Sequence, residues 1–553
     1  MAAAPPPSSP QRLWIYDTTL RDGAQREGLS LSLEDKLRIA RRLDALGVPF
    51  IEGGWPGANP KDVQFFWQLQ QTPLTQAQVV AFCSTRRPGR SAASDDLLQA
   101  LLAAGTPWVT IFGKSWDLHV TAGLQTSLDE NLAMISDSIR FLRQQNRQVI
   151  YDAEHWFDGY KANPGYALET LRVAHEAGAE WLVLCDTNGG TLPQEVATIT
   201  AEVRAALSSL PGGDTLQLGI HTHNDSGTAV ANALAAVQAG ARMVQGTING
   251  YGERCGNADL CAVMPNLQLK LGYDCIRPEQ LRQLAPVSRE ISEICNLAPD
   301  DHAPFVGLSA FAHKGGIHVS AVERNPATYE HLDPAAIGNQ RRIVISEQSG
   351  LSNILAKARS YGLDLHKGDP KTRALLDRLK QLEQEGYQFE AAEASFDLLM
   401  REAWGDRPCF FELLDFQVHC SKQMGAASAL ATVKVSVAGK EILEAAEGNG
   451  PVSALDAALR KALVGFYPEV ARFQLADYKV RILDGTAGTS AKTRVLVEST
   501  DGQRRWSTIG VSANIIEASY EAVVAGLEYG LLQNRLSQYP RYPVRSNPQN
   551  HPS

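Results

Sequence analysis

The sequence predicts an α/β protein: a (β/α)8 barrel, then a mostly helical stretch, then a smaller α+β module. Three observations carry this. Short apolar runs alternate with amphipathic runs about every 30 residues through the first half of the chain, the rhythm of a barrel closing strand by strand. Polar clusters fall where those apolar runs end, which is the rim on which such barrels carry chemistry. Beyond about residue 273 the rhythm changes, and later two halves of similar pattern follow one another.

The strand candidates are 13–17, 50–54, 79–84, 108–113, 149–153, 181–186, 217–221 and 243–248. Helical patterns lie between them, among them 32–46, 94–104, 128–145, 167–177, 192–207 and 229–239. Gly47, Gly105, Gly178 and Gly240 stand between a helix and the next strand, where a left-handed residue past a helix end is expected. Residues 273–386 read as mainly helical, with a Gly/His-rich loop at 313–318. Residues 433–437 and 440–447 precede Gly448-Asn449-Gly450-Pro451 and a helix through Leu463. Residues 478–483, 493–499 and 505–510 precede Val511-Ser512-Ala513-Asn514 and a helix through Leu532. A strand–strand–strand–helix unit used twice makes a compact module. The Pro/Ser-rich start (1–12) and the Pro/Asn/Ser-rich end (536–553) read as a disordered arm and tail.

Composition excludes several classes. A formal net charge of −9 argues against a nucleic-acid binder. No apolar run approaches the roughly 20 residues of a membrane helix, and residues 1–11 lack the charged and apolar regions of a signal peptide. Eight cysteines without tight spacing fit a reducing cytosol and no structural zinc cluster. The glycine loops Asp186-Thr187-Asn188-Gly189-Gly190 and Gly250-Tyr251-Gly252 lack dinucleotide or P-loop spacing, and no Gly-x-Ser-x-Gly elbow occurs.

His221-Thr222-His223 ends the seventh strand candidate. Residues i and i+2 of a strand face one side, so both imidazoles can meet one divalent ion; the alternative is a polar pair capping the next helix. Asp22, in Asp17-Thr18-Thr19-Leu20-Arg21-Asp22-Gly23, is the best carboxylate, because first and seventh strands approach one another around a small barrel. Asp17 is then a rim residue bonding its loop. Asn257, in Gly252-Glu253-Arg254-Cys255-Gly256-Asn257, offers an amide oxygen. Such a set suits Mg, Mn, Zn or Co with open positions rather than a closed structural zinc. Arg21 can stabilise an alkoxide near the ion or pair with Asp17, Glu52 or Glu253, and both roles can hold together. Glu154 either relays a proton or partners a basic neighbour such as Arg21. His155 is equally open between a structural and a functional role. Thr187 either binds a substrate carboxylate or caps the sixth helix.

Together these segments resemble the family of metal-dependent barrel enzymes that contains isopropylmalate, homocitrate and citramalate synthases and hydroxymethylglutaryl-CoA lyase. Asp17–Gly23 with Gln25 is similar to the family's opening signature. His221-Thr222-His223-Asn224-Asp225 with Gly227, and Gly252-Glu253-Arg254-Cys255-Gly256-Asn257, resemble its second. The resemblance spans nearly the whole chain. It implies Asp22, His221, His223 and Asn257 as ligands of a divalent metal (Mn, Mg, Zn or Co), Arg21 as the carbonyl-polarising residue, and Glu154 as a residue near the reacting centre. Ala312-His313-Lys314-Gly315-Gly316-Ile317-His318 and Ala327-Thr328-Tyr329-Glu330-His331 resemble the family's post-barrel segments, which implies His318 and Tyr329 in a base relay acting from a partner subunit.

The implied organisation is a pyruvate carboxyltransferase-like barrel over 13–275, helical linker subdomains over 276–386 and a regulatory, dimerising domain over 387–535. The lyase lacks that last module, which favours a synthase. Glu52-Gly53-Gly54-Trp55-Pro56 and residues 152–161 resemble a long citramalate synthase subgroup, whereas isopropylmalate synthases carry a serine–proline–glutamate-like run near the barrel glutamate. The resemblance thus implies acetyl-CoA as co-substrate and pyruvate as acceptor, in a cytoplasmic homodimer on a threonine-independent route to isoleucine, with isoleucine as feedback effector. The alternatives are a 2-isopropylmalate, homocitrate or methylthioalkylmalate synthase, or a lyase running the reverse cleavage.

Overall fold

A computed structural model of the chain describes residues 11–345, 349–363, 365–366, 368–423 and 426–538. The expected arm and tail fall mostly on 1–10 and 539–553, outside the described residues. The chain forms two compact units. The first runs through Phe311 and takes in Leu332–Arg341; the second comprises Ala312–His331 and the chain from Arg342 onward.

The first unit is a closed barrel of eight parallel strands in sequence order. They are β1 (Trp14–Asp17), β2 (Phe50–Gly54), β3 (Gln78–Ser84), β4 (Trp108–Lys114), β5 (Gln148–Glu154), β6 (Trp181–Asp186), β7 (Gln217–Thr222) and β8 (Met243–Gly246). Closure is by β1 against β8, with Trp14 opposite Met243 and Asp17 opposite Gly246. All eight predicted strands are present within a residue or two of their expected bounds. Helices α1 (Leu33–Leu46), α2 (Pro60–Gln71), α3 (Asp96–Ala103), α4 (Leu128–Gln144), α5 (Trp156–Ala162), α6 (Pro164–Glu176), α7 (Pro193–Ser208), α8 (Ala229–Ala239) and α9 (Leu260–Pro265) fill the connections. Helix α1 starts at a reciprocal capping box of Ser32 and Asp35 and stops at Gly47, whose φ of 86° is left-handed.

Alternation along the strands sorts side chains into two cores. Ile15, Ile51, Val149, Leu182, Leu184, Ile220 and Val244 face the helices. Tyr16, Phe50, Val80, Ile150, Trp181, Val183 and Met243 plug the barrel interior. Further along the inward rows stand Glu52, Phe82, Phe112, Asp152 and His221, so the apolar plug gives way to mixed aromatic and polar groups at the strand ends.

Helices α10 (Pro278–Leu281) and α11 (Leu284–Ile294) belong to the barrel unit, past the expected boundary at 275. Leu284, Val287 and Ile291 of α11 are buried in the barrel's outer core, and Glu290 pairs with Arg42 of α1 at 2.7 Å.

In the second unit, β9 (Ala312–His313) pairs with β10 (Arg342–Ile343), and α12 (Gly316–Arg324), α13 (Leu351–Ser360), α14 (Pro370–Glu385) and α15 (Glu393–Trp404) surround them in the chain. The expected loop at 313–318 is therefore a strand end and a helix start. Two antiparallel sheets follow. β11 (Glu412–Gln423), β12 (Ala426–Val437) and β13 (Lys440–Gly448) lead to α16 (Pro451–Leu463). β14 (Gln474–Ile482), β15 (Thr493–Thr500) and β16 (Arg505–Ser512) lead to α17 (Ile515–Gln538), which extends past the expected tail boundary at 536. The twofold repeat is real, with β11 completing the first half. It recurs in detail: a Cβ on Gly448 would lie 2.5 Å from the Ala454 amide, and one on Gly510 would lie 2.0 Å from the Ala518 carbonyl. In both halves a glycine lets the helix pass close over its sheet.

Candidate metal centre

Asp22, His221 and His223 come together at the barrel rim, buried, with ligand atoms all within 4.8 Å of one another. His221 ends an inward row of β7, and His223 follows two residues on. Their Nε2 atoms lie 3.2 Å apart and 3.8 and 4.0 Å from one Asp22 oxygen. The β7–β8 register sets Gln245 directly beside His221. The Gln245 amide donates to Asp152 at 2.9 Å, so its oxygen is left to accept from His221 Nδ1 at 2.8 Å. That bond fixes the proton on Nδ1 and leaves the Nε2 lone pair facing the cluster. Burial, and the neighbouring His221, push His223 down to about 3, which keeps its ring neutral. Two imidazole nitrogens turned toward one another beside a carboxylate suit a cation.

Asn257 completes the set. Its amide nitrogen donates to Asp22 at 2.9 Å and to the Tyr251 carbonyl at 3.1 Å, while its side-chain oxygen is buried without a hydrogen-bond partner. An orphaned oxygen beside a carboxylate and two imidazoles fits the amide ligand of an open divalent site. Burial works against the charge of Asp22, but Arg21 foremost, with the Asn257 amide, holds its carboxyl well below the usual range.

Arg21 does not pair with Asp17 or Glu253. Its Nε donates to Glu52 at 2.6 Å and its Nη1 to Asp22 at 3.0 Å, and the guanidinium lies 3.8 Å from the centre of the Phe82 ring. Glu52 is fully buried and also accepts from Tyr16 and Thr18. Asp17 spends both oxygens on Thr19, at 2.9 Å each, which makes it a loop anchor and not a ligand.

Arg21, Asp22, His221 and His223 line a cavity of about 210 Å³ with Gln25, Trp55, Phe82, Phe112, Asp152, Glu154, Cys185, Thr187 and Glu253. Trp55 packs edge-on against Phe82 and Phe112, each 5.7 Å away, and the two phenylalanines stack at 5.3 Å. Glu154 pairs with Lys114, its register neighbour on β4, and not with Arg21. Thr187 does not cap the helix that follows β6, α7, which starts at Pro193 after Leu192. Its hydroxyl instead accepts from the His155 amide at 2.9 Å. His155 is left-handed, with φ 52°, and its ring lies 3.4 Å from Asp158 and 4.3 Å from the His119 ring.

Asp152 was not singled out from sequence as a site residue. Burial and the nearby Glu52 push its carboxyl up to about 8. The signal was available: it sits two residues before Glu154, on the same inward row. Burial, with Asp152 and Glu154 nearby, holds Cys185 far up as a thiol. His318 and Tyr329 belong to the second unit. His318 lies in the first turn of α12, Tyr329 follows a short 3-10 turn, and their rings are 4.3 Å apart.

Three family descriptions match successive parts of the chain: HMGL-like over 12–288, homocitrate synthase post-HMGL domain-like over 305–387, and LeuA allosteric (dimerisation) domain over 390–531. An (R)-citramalate synthase from Synechocystis sp. is 71% identical, covering 94% of this chain and 96% of that protein. Another from Aquifex aeolicus is 52% identical, covering 95% and 98%. A probable 2-isopropylmalate synthase from Methanopyrus kandleri is 31% identical, covering 96% and 100%. The chain belongs to the isopropylmalate/homocitrate synthase family of barrel acyltransferases, and within it to the citramalate synthases.

Proposed function

We propose that the chain condenses acetyl-CoA with pyruvate and water to give (R)-citramalate and CoA. The observation that carries this reading is the convergence of Asp22, His221 and His223 beside Arg21 in one small cavity with an aromatic wall, with the orphaned oxygen of Asn257, whose amide is bonded to Asp22, completing the set. The proposed ligands are those four residues, around Mn, Mg, Zn or Co. When bound, the ion polarises the acceptor's C2 ketone as a Lewis acid.

The chain's own groups do the rest. Arg21 is held in place by Glu52 and Asp22 and needs no reorganisation to face the negative charge that develops on the ketone oxygen. Thr187 takes the His155 amide on a lone pair and keeps its own hydrogen for the acceptor's carboxylate. Trp55, Phe82 and Phe112 form the apolar wall against which the acceptor's alkyl group would pack. A base removes a methyl proton of acetyl-CoA. We assign this to His318 with Tyr329, acting from a partner subunit, or to Glu154, which Lys114 holds. The resulting carbanion bonds to C2, the alkoxide takes up a proton, and water cleaves the thioester to release CoA.

The match of 390–531 to an allosteric, dimerising domain supports end-product control in a homodimer. We assign isoleucine as the effector, in a cytoplasmic enzyme on a threonine-independent route to that amino acid. The test is thiol release from acetyl-CoA across a panel of 2-oxoacids, with and without isoleucine. Pyruvate is expected to give the highest kcat/KM, with inhibition by isoleucine. A preference for 2-oxoisovalerate or 2-oxoglutarate would reassign the chain to an isopropylmalate or homocitrate synthase.

A further inference from the structure

We infer that Arg254 is a positioning residue for the metal centre, a strut that locks three rim loops into one rigid frame. The inference rests on the metal-dependent reading above. Arg254 lies on the loop after β8, three residues before Asn257. It is left-handed, with φ 53°, a conformation that side chains other than glycine rarely adopt. Its guanidinium donates twice to Asp225, from Nε at 2.7 Å and Nη2 at 3.0 Å. Asp225 lies on the loop after β7, two residues past His223. The same Nη2 donates to the Thr187 carbonyl at 2.7 Å, on the loop after β6, and Nη1 reaches Glu253 at 3.3 Å.

One side chain thus ties the loops that carry Thr187, His223 and Asn257. The backbone agrees with this tie. The Asn224 amide donates to the Gly256 carbonyl at 2.8 Å, and the Ser226 amide to the Gly189 carbonyl at 3.1 Å. A Cβ on Gly189 would stand 2.6 Å from an Asp225 oxygen and 2.9 Å from the His223 carbonyl, so the loops meet where no side chain fits. Arg254 is 43% exposed, which would suit a receptor for a CoA phosphate, but Nε and Nη2 are spent on a carboxylate fork and a carbonyl, and Nη1 lies beside the Glu253 carboxylate, which repels an anion. A lysine cannot reproduce that fork.

The test is calorimetric titration of Mn²⁺, and separately Zn²⁺, into metal-free wild type, Arg254→Ala, Arg254→Lys and the double variant Arg254→Ala/Asp225→Ala. Thermal unfolding and steady-state kinetics accompany each. Arg254→Ala is expected to weaken metal binding about tenfold or more, the range for residues that orient metal ligands, and to raise KM for pyruvate. The double variant is expected to cost no more than the single one, because both residues act through one contact. A purely structural role would lower the unfolding temperature and leave metal affinity alone. Wild-type affinity in folded Arg254→Ala, or additive losses in the double variant, would overturn the inference. If Arg254→Ala does not fold, Arg254→Lys decides: wild-type affinity there overturns it as well. Wild-type protein that binds neither ion would sink the metal reading itself, before any variant is compared, and this inference with it.

Discussion

Replacing Gln245 by leucine tests how the metal centre is built. Gln245 is fully buried and bridges two groups, accepting from His221 Nδ1 at 2.8 Å and donating to Asp152 at 2.9 Å. Leucine is close in size, so the change removes hydrogen bonds more than volume. Two buried polar atoms lose their partners, each at a cost of about 1–3 kcal/mol. The metal-free protein is therefore expected to lose roughly 2–6 kcal/mol in urea unfolding. The larger consequence is at His221. Without an acceptor for Nδ1, the ring is free to carry its proton on Nε2, the atom that faces Asp22 and His223. Loss of such an orienting partner weakens metal binding by about 10- to 100-fold, or roughly 1.4–2.8 kcal/mol. Gln245→Glu keeps an acceptor for His221, so it should retain more affinity than leucine. It also sets a carboxylate beside Asp152, whose carboxyl burial already pushes up to about 8. Calorimetric titration of Mn²⁺ into the three proteins reads the order wild type, glutamate, leucine. Equal affinity in wild type and the leucine variant would refute the claim that Gln245 sets the ligand tautomer.

Asp22→Asn and His221→Ala should each abolish acetyl-CoA-dependent thiol release, since each removes a ligand from a buried cluster; near-normal turnover in either would remove the metal mechanism. Phe112→Ala opens the aromatic wall that Phe112 shares with Trp55 and Phe82. It should raise kcat/KM for 2-oxobutyrate relative to pyruvate by about tenfold, the scale of one methylene in an apolar pocket; an unchanged ratio would show that the wall does not set acceptor size. Asp152 keeps its proton to about 8 in the fold, because of burial first and Glu52 second, whereas an unfolded aspartate loses it near 3.8. Between those values the unfolded chain binds fewer protons, so stability of the metal-free protein should fall as pH rises from about 4 to about 8. Asp152→Asn should flatten that fall in urea titrations, and an identical slope would contradict the assignment.

The barrel was legible because both of its cores write themselves into the sequence. The outward rows of Ile, Leu and Val and the 3.6-residue stripes of the helices give the alternation, and Gly47, Gly105, Gly178 and Gly240 punctuate it with positive φ. The ligand candidates were legible for the same reason: parity alone puts His221 and His223 on one side. Parity also put Asp152 with Glu154, yet a lone aspartate in a strand carries no mark of its surroundings, and its importance comes from Glu52, 100 residues earlier, across the barrel. The strand Glu412–Gln423 was missed although Leu414-Asp415-Phe416-Gln417-Val418-His419 alternates apolar and polar as a half-buried strand does, and Leu413, Phe416 and Val418 pack on the core. The partners of Arg21 and Glu154 depend on register. Lys114 faces Glu154 only because β4 and β5 pair as they do, and no local pattern fixes that offset.

The rim also departs from what sequence propensity expects. Among the described non-glycine residues with positive φ, Gln125, His155, Asn249 and Arg254 lie on loops that follow barrel strands, and the last three lie after β5 and β8. Each of these three is held by side-chain bonds that the backbone alone would not supply. The His155 amide goes to Thr187, the Asn249 side chain to Ser288 and Ser292, and Arg254 to Asp225 and the Thr187 carbonyl. Thr187 receives two of these ties, one on its hydroxyl and one on its carbonyl. A residue fixed from both sides by strained neighbours is placed to a tolerance that a free loop would not reach, which is what orienting a small acceptor over the metal ligands requires. Relaxing either tie should therefore raise KM for pyruvate more than it lowers stability. His155→Gly keeps the amide that Thr187 accepts but frees the backbone that aims it, and so separates the two effects: a folded protein with a higher KM supports the argument, and a folded protein with unchanged KM defeats it.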